Sequence, residues 1–484
     1  MRLFRRIAFY AFLLLYVVLC PVTVFSTLGY VFIPGGQQQI VKTGLIYLAT
    51  APPGATVYVG NRRFTRQTPT ILRELQPGTY DIRLAVKGHR PWTHRVPVEA
   101  EQATVLEHVL LLPRSLHPVQ AALGPFENLL PVSDKVLLLQ RGPLLRHVTV
   151  YDPRAEREWP LLAPGSPLES ARLIDASRVP DSDAVVLEVV FGGSERLLWA
   201  DLSGREPHIE DLSSFLVRRP LWVTWDAEDK RHVFALQDKA IHRIDLAART
   251  SYPAFVNRAV GMGVFRHALY VLREHGVLER MDPQGHSSEV LWRNLIPGPP
   301  PAADAAFRVQ LLSDDTVLLW GRRGELLANH APYQLVERGV RGVVHAPKQH
   351  RRALVWQRDR LGVLDFSGAV EGGSVEEMPP LRWAYKQGRD IRQAFWMYDG
   401  SHGLIRDDDQ VLLLDLETYG KPEQQLLFRV KRHSAIAYSE EAGVLYYLDP
   451  SSGSLMACEL LPKREILPFP DRREPPRRPT LEEP

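Results

Sequence analysis

One sequence pattern recurs along most of the chain and constrains its fold more than any other feature. An apolar, strand-forming segment ends at an aspartate, two or three turn-forming residues follow, and another apolar segment begins. The copies are Tyr151-Asp152-Pro153, Ala200-Asp201-Leu202-Ser203-Gly204, Ile244-Asp245-Leu246, Met281-Asp282-Pro283-Gln284-Gly285, Leu364-Asp365-Phe366-Ser367-Gly368, Leu414-Asp415-Leu416-Glu417-Thr418 and Leu448-Asp449-Pro450-Ser451-Ser452-Gly453. A side chain of Asp at a turn start accepts hydrogen bonds from backbone N–H groups, and Gly supplies positive φ. Each copy therefore predicts a strand, a turn and a second strand.

The spacing of these copies predicts a ring of blades. A copy without the aspartate stands at Trp320-Gly321-Arg322-Arg323-Gly324, and counting it gives seven steps from Asp152 to Asp449, or about 42 residues a step. A four-stranded propeller blade takes roughly 40–50 residues. We therefore predict an all-β fold with a β-propeller of seven or eight blades over residues 120–464, which resembles the WD40-like and quinoprotein-like blades in period and turn pattern.

Two apolar segments ahead of the first full repeat are candidates for closing that ring. They are Val119 to Leu123 and Leu129-Leu130. A blade buries its faces against its neighbours, so a ring that lacks a strand exposes apolar surface. We predict that these segments complete the last blade as a closing strand.

The N-terminus predicts a membrane anchor in residues 1–34. Three arginines at positions 2, 5 and 6 precede an uncharged stretch whose apolar part, Ile7 to Leu28, is about 22 residues or ~33 Å long as a helix. Under the positive-inside rule the arginines stay in the cytoplasm and the bulk of the chain lies outside it, which predicts a single-pass protein of the cell membrane. A signal peptide cleaved near Val24-Phe25-Ser26 is the alternative.

Residues 43–113 predict a small β domain. Apolar and other side chains alternate from Gly44 to Thr50, as in a strand with one buried face. Pro52-Pro53-Gly54-Ala55 then fits a type II turn, with Gly54 at the position of positive φ. Further alternating strands follow, and Trp92 and Tyr80 suit its core better than a sugar-binding platform.

This stretch resembles the PEGA domain, a small β-sandwich of exported and membrane-attached proteins. The resemblance rests on Gly44-Leu45-Ile46-Tyr47, the turn at Pro52-Pro53-Gly54-Ala55, Val57-Tyr58-Val59, Thr68-Pro69, Leu75, Pro77-Gly78, Tyr80 and the pair Gly88 and Trp92. Pro53 replaces an acidic residue of the motif, and Arg66 stands where the family usually has Gly. Both departures lie in loops, so the resemblance implies the PEGA fold.

Composition excludes some classes of partner and chemistry. Lys+Arg 59 against Asp+Glu 56 leaves a net charge of only +3, which argues against a nucleic-acid partner. The two cysteines, Cys20 and Cys458, build no disulfide framework. Residues 465–484 are rich in Pro, Arg and Glu and predict a disordered tail.

No residue is predicted to be catalytic, cofactor-binding or metal-binding. The acidic run Asp407-Asp408-Asp409 lacks the ligand spacing of a calcium loop and predicts a solvated hairpin tip, and the same holds for Asp181-Ser182-Asp183 and Asp314-Asp315. The chain contains no H-E-x-x-H, Cys-x-x-Cys or G-x-S-x-G motif. Arginine pairs such as Arg62-Arg63, Arg218-Arg219, Arg322-Arg323 and Arg351-Arg352 are read as surface charge rather than as sites for anionic cell-wall polymers.

Two classes of function remain open. The first is a non-enzymatic, membrane-anchored extracytoplasmic scaffold whose propeller recognises a protein or a cell-envelope polymer. The second is a propeller enzyme or quinone-cofactor protein whose site residues come singly from several blades. A buried cluster of carboxylates, histidines or arginines on the propeller axis would discriminate between them.

Overall fold

The computed structural model describes residues 2–27, 30–32, 40–133, 136–179, 182–204, 206–226, 231–295, 306–313, 316–328, 334–346, 351–366, 381–417 and 424–461. The tail predicted for 465–484 lies outside these ranges, and so do Asp181 and Asp314-Asp315 of the acidic runs.

A helix and a hairpin precede the small β domain. Helix α1 (Arg2–Thr27) is followed by strands β1 (Tyr30–Phe32) and β2 (Ile40–Lys42), which pair antiparallel with Tyr30 opposite Lys42. Within the described ranges, no helix combines the length and the apolar character that crossing a membrane requires. The anchor in residues 1–34 therefore stays a prediction.

Seven strands form a sandwich of two sheets. They are β3 (Gly44–Ala51), β4 (Thr56–Val59), β5 (Arg62–Gln67), β6 (Thr70–Leu75), β7 (Gly78–Ala85), β8 (Trp92–Val98) and β9 (Ala103–Leu110). One sheet has the order β6-β3-β9, in which β3 and β9 are parallel, and the other has the order β5-β4-β7-β8.

The alternation seen in the sequence produces the core of this sandwich. Ile46 and Leu48 of β3 are fully buried, and Ile82 and Leu84 of β7 face them from the other sheet. The predicted turn is confirmed, because Gly54 has a φ of +83°. Trp92 is only 6% exposed and lies in the same core, so its core assignment is also confirmed.

The remaining strands form eight blades of four strands in the part of the chain that the structure describes. The first four blades are β11 (Asn128–Pro131), β12 (Leu137–Gln140), β13 (Val148–Asp152) and β14 (Arg157–Pro160); β15 (Arg172–Arg178), β16 (Ala184–Phe191), β17 (Ser194–Asp201) and β18 (His208–Asp211); β19 (Trp222–Trp225), β20 (His232–Gln237), β21 (Ala240–Asp245) and β22 (Thr250–Asn257); and β23 (Ala259–Phe265), β24 (Ala268–Arg273), β25 (Leu278–Met281) and β26 (Ser288–Trp292). Three short 3-10 turns, Leu145–His147, Pro167–Ser170 and Leu212–Ser214, lie between strands of this half.

The other four blades complete the ring. They are β27 (Phe307–Ser313), β28 (Thr316–Gly321), β29 (Leu326–Ala328) and β30 (Gln334–Glu337); β31 (Gly342–His345), β32 (Arg352–Trp356), β33 (Leu361–Asp365) and β34 (Arg382–Tyr385); β35 (Ile391–Met397), β36 (His402–Asp407), β37 (Gln410–Asp415) and β38 (Gln424–Arg429); and β39 (Ala437–Ser439), β40 (Val444–Leu448), β41 (Leu455–Glu459) and β10 (Val119–Ala122). Within a blade the first strand is the innermost.

The ring is closed by the segment ahead of the first repeat. Strand β10 pairs antiparallel with β41, with Val119 opposite Ala457, and becomes the outermost strand of blade 8. Of the two candidates for closure, Val119 to Leu123 is therefore confirmed. Leu129-Leu130 instead belongs to β11, the innermost strand of blade 1.

The aspartates of the repeat hold turns, as the sequence predicted. Asp152 Oδ1 accepts a hydrogen bond from the Arg154 N–H at 2.7 Å, and Asp201 Oδ1 accepts one from the Ser203 N–H at 2.9 Å. These two aspartates end the third strand of their blades. Asp449 holds the turn between the second and third strands of blade 8 instead, and the Trp320 copy has that same position in blade 5.

The alternating strand directions place the turns on two faces. We call front the face with the connections between blades and the turns from second to third strands, and rear the opposite face. The sandwich packs on the rear face of blades 7 and 8. Leu110 and Leu112 share one buried cluster with Met397 and Leu404 of the propeller, so the two units meet through a common core.

Candidate binding site in the propeller channel

A cavity of about 600 Å³ lies along the axis side of blades 2 to 6. Its walls come from the innermost strands β15, β19, β23 and β27, from His345 at the end of β31, and from residues of β16 and β17 behind them. The cavity reaches toward both faces, because Arg219 lies in the front connection between blades 2 and 3 and His267 lies in the rear turn of blade 4.

Two glycines allow the innermost strands of blades 4 and 5 to approach each other closely. Strands β23 and β27 pair in parallel across the gap between blades 4 and 5, with Gly261 opposite Phe307. A Cβ on Gly263 would lie 2.1 Å from the Val309 carbonyl oxygen, so only glycine allows this approach. Among the described innermost strands, this is the one pair that is hydrogen-bonded between blades. Strand β15, in the cavity wall formed by blade 2, keeps exposed residues such as Asp175.

An ion pair marks the junction of this cavity with a smaller one. Glu188 on β16 pairs with the Arg219 guanidinium. Both residues line the main cavity and also a second cavity of about 350 Å³ between the front ends of blades 2 and 3. Burial raises the pKa of the Glu188 carboxyl, and the nearby Arg219 opposes that rise. The pair thus places a poorly solvated carboxylate and an exposed guanidinium where a ligand could reach both.

A histidine and a buried carboxylate pair at the rear mouth of the cavity. His267 Nδ1 is 3.1 Å from Asp226 Oδ2, and the Asp226 side chain is buried whereas the His267 ring is half exposed. A buried carboxylate in this position orients an imidazole ring by a hydrogen bond. Arg266, next to His267, has its guanidinium 5.0 Å from the Phe265 ring centroid.

These channel residues were not found by the sequence analysis. Glu188 carried the one available signal, because it is the single charge in the apolar run Val185–Val189, and a charged residue in a strand buried between blades needs a partner. The Asp226 and His267 pair had no such signal, since 41 residues separate its members. Within the described ranges, no group of three or more His, Cys, Asp or Glu side chains could hold a metal ion.

The acidic run of blade 7 is not a solvated tip throughout, which corrects the prediction for Asp407. Its carboxylate is buried and accepts hydrogen bonds from the Tyr385 hydroxyl at 3.2 Å and from the Arg389 and Asp390 N–H groups at 2.8 and 2.7 Å. The physical reason is that the hairpin folds back on the connection between blades 6 and 7, whose N–H groups need acceptors. The hydroxyl of Tyr385 has its pKa raised to about 12 by burial and by Asp407.

The neighbouring aspartates form ion pairs with arginines. Asp408 pairs with Arg432 at 3.2 Å, and Asp409 pairs with Arg429 at 2.7 Å. The same front-face region holds Asp390, whose pKa is lowered to about 2 by hydrogen bonds from Arg341 and Arg392. This cluster is a structural network within the blades.

Comparison with known proteins identifies the sandwich. Residues 43–111 match the PEGA domain family. Against curated protein sequences the chain has no match. The solved structures that it resembles include the C-terminal WD40 domain of Sif2 (10% identity, 71% of this chain and 99% of that one, TM-score 0.44), the computationally designed Ika8 protein (12%, 72% and 98%, 0.39) and the Cps50 (Swd1) β-propeller domain of Myceliophteria thermophila (11%, 60% and 99%, 0.35).

With TM-scores below 0.5 for all three, the architecture of residues 119–459 rests on the strand pairing itself. Eight four-stranded blades, closed by pairing of β10 with β41, define a β-propeller. The chain therefore contains a PEGA domain at residues 43–111, followed by an eight-bladed β-propeller on which that domain is packed.

Proposed function

We propose that the protein is a membrane-anchored extracytoplasmic scaffold whose propeller recognises a protein or a cell-envelope polymer. The observation that carries this proposal is the common core of the two units. Leu110 and Leu112 at the end of the PEGA domain lie in one cluster with Leu445 and Cys458 of blade 8 and Met397 of blade 7. A partner bound to the propeller is thereby held at a fixed position relative to the PEGA domain.

The charge pattern of the N-terminus supports the proposed topology. Arginines precede the apolar run of α1, and no acidic residue lies in its first turn. An alkaline phosphatase reporter fused after Leu112 should be active, because that enzyme needs the oxidising space outside the cytoplasm. A cytoplasmic reporter at the same position is the control, and activity of that reporter alone would reverse the topology.

The channel supports the propeller as the recognising unit. Its mixed wall of aromatic, apolar and charged residues, with Glu188 and Arg219 at the junction of two cavities, is typical of a site that binds and orients a ligand. The test compares Arg219→Glu with Arg249→Glu. Both arginines are about 70% exposed and both pair with a glutamate, Glu188 and Glu210 respectively.

The tagged full-length chain and both variants are used to capture partners from solubilised membranes after cross-linking. We expect one partner to be lost from the Arg219→Glu variant and retained by the Arg249→Glu variant, with equal thermal transitions for all three chains. Equal capture by both variants would exclude the channel as the recognition site.

The Asp226 and His267 pair keeps a propeller enzyme as the second candidate function. A carboxylate that orients an imidazole at the mouth of a cavity is an arrangement that general-base catalysis uses. The scaffold proposal expects no hydrolytic or redox turnover by the purified chain. Reproducible turnover that His267→Gln abolishes, with folding unchanged, would favour the enzyme.

A further inference from the structure

The outer sheet of the PEGA domain carries a strongly basic surface. Strands β4, β5, β7 and β8 contain five arginines, Arg62, Arg63, Arg66, Arg83 and Arg95, against one acidic residue, Asp81. We call these five residues the arginine face. All of them are exposed, Arg62 projects from the other face of the edge strand β5, and Arg95 pairs with Asp81 at 3.1 Å. The other sheet, β6-β3-β9, has one arginine and two glutamates. The arginines of the domain's strands are therefore concentrated in one sheet.

The strand register aligns part of this surface in a row. Arg63 of β5 and Arg83 of β7 both lie opposite Tyr58 of β4, on the face away from the core. Two strand spacings separate the two arginines by about 10 Å. The Arg83 guanidinium is 5.7 Å from the Tyr58 ring centroid, so the aromatic ring supports it. Charges fixed across a sheet in this way fit a broad anionic surface.

An apolar ring lies among these charges. Strand β5 is the edge of its sheet, and every one of its six residues is exposed. Phe64 lies two residues from Arg62 on the same face of β5 and keeps 37% of its surface exposed. Protein surfaces that bind at the bilayer interface combine aromatic rings with basic residues in this way.

The chain holds the PEGA domain close to the end of α1. Lys42 lies opposite Tyr30 in the hairpin, and Tyr30 follows Thr27, the last helical residue, by three positions. One strand spacing and three extended residues place the start of the domain within roughly 20 Å of the helix end.

The propeller leaves the arginine face uncovered in the described structure. The domain packs on blades 7 and 8 through Ala51, Leu110 and Leu112, which belong to the ends of β3 and β9 and to the segment after them. Those strands form the other sheet, so docking on the propeller and use of the arginine face are compatible.

We propose that the arginine face, with Phe64, docks the PEGA domain on the anionic phospholipid headgroups of the membrane that holds α1. This inference rests on the membrane anchoring in the proposed function. A bilayer fits better than a soluble anionic polymer for two reasons. The exposed ring of Phe64 gains from insertion at an interface. The short tether keeps the domain beside the bilayer, where arginines that come within about one Debye length, ~8 Å, are attracted to anionic headgroups.

The experiment uses the full-length chain reconstituted in vesicles of neutral phosphatidylcholine, with or without anionic phosphatidylglycerol. A fluorophore on Thr65→Cys in β5 reports proximity to quencher-labelled headgroups, and the chain without this substitution, labelled in parallel, corrects for Cys20 and Cys458. Flotation of the vesicles reports anchoring separately. We expect flotation with both compositions, and quenching in anionic vesicles at ~0.1 M salt that is lost at ~1 M salt.

The decisive variant replaces Arg62, Arg63 and Arg66 by Gln. It should lower the docked fraction in anionic vesicles at least roughly tenfold. The matched control replaces three propeller arginines by Gln, which removes the same charge from surface ion pairs; these are Arg154, Arg249 and Arg360. The control should dock as the unchanged chain does.

Several outcomes would overturn the proposal. Flotation without headgroup quenching would leave the anchor in place and refute docking, and so would equal quenching in neutral vesicles or an equal loss in the control. Full competition by soluble polyglutamate at matched charge would identify a polymer as the partner instead. Flotation only with anionic vesicles, abolished by the triple Arg→Gln substitution, would refute the anchor and retain the docking.

Discussion

The junction between the last and first blades can be tested by removing one side chain. Phe126 is fully buried between Leu448 and Leu455 of blade 8 and Leu129 and Leu139 of blade 1. We predict that Phe126→Ala destabilises the propeller, because the Phe126 side chain packs in the core between blades 8 and 1.

The magnitude follows from the packing of that ring. A buried Phe removes roughly 150–250 Å² from water, worth about 4–6 kcal/mol at ~25 cal/mol per Å², of which the alanine methyl keeps a part. The Arg141 guanidinium, 4.1 Å from the ring centroid, also loses its contact with the aromatic ring. The expected cost is about 3–5 kcal/mol of unfolding free energy.

Denaturant unfolding followed by tryptophan fluorescence measures this cost, and Phe64→Ala is the matched control. Phe64 lies on an edge strand and keeps 37% of its surface exposed, so its removal should lower the unfolding free energy by no more than about 1–2 kcal/mol. A Phe126→Ala variant within that same range, still monomeric, would show that the junction contributes little and would refute the reasoning.

Four further outcomes are expected. Trp92→Ala should cost about 3–5 kcal/mol in thermal or denaturant unfolding, because the ring is in the PEGA core. Gly263→Val should cost about 1–3 kcal/mol in the same assay, because its Cβ would meet the Val309 carbonyl. The folded-state pKa of Asp390 lies below its ordinary value, so the ionised carboxylate stabilises the fold above about pH 4, and this contribution is lost as the pH falls toward about 2. The unfolding free energies of Asp390→Asn and of the unchanged chain should therefore agree only near pH 2. Deletion of all residues after Lys431 removes most of blade 8 and should cause aggregation, measured by light scattering.

The turn chemistry and the strand content could be predicted because they are local. Asp152 and Asp201 cap N–H groups two residues ahead, and Gly54 adopts its positive φ within a four-residue turn. The same local rule wrongly predicted a solvated position for Asp407. Its carboxylate accepts hydrogen bonds from the N–H groups of residues 17 and 18 positions earlier in the chain. Nothing in the residues adjacent to Asp407 distinguishes a buried acceptor from a solvated one.

Sequence by itself determined the period of the blades, the turns between their strands and the resemblance of residues 43–113 to the PEGA domain, because each depends on residues within a few dozen positions. Tertiary structure alone decided which segment closes the ring, that the ring has eight blades, and which charges meet in the channel. Val119 pairs with Ala457 from the far end of the chain, and Glu188 meets Arg219 across the gap between two blades. Such contacts depend on how whole sheets pack around a common axis, and pairing between distant strands leaves no periodic trace in either partner.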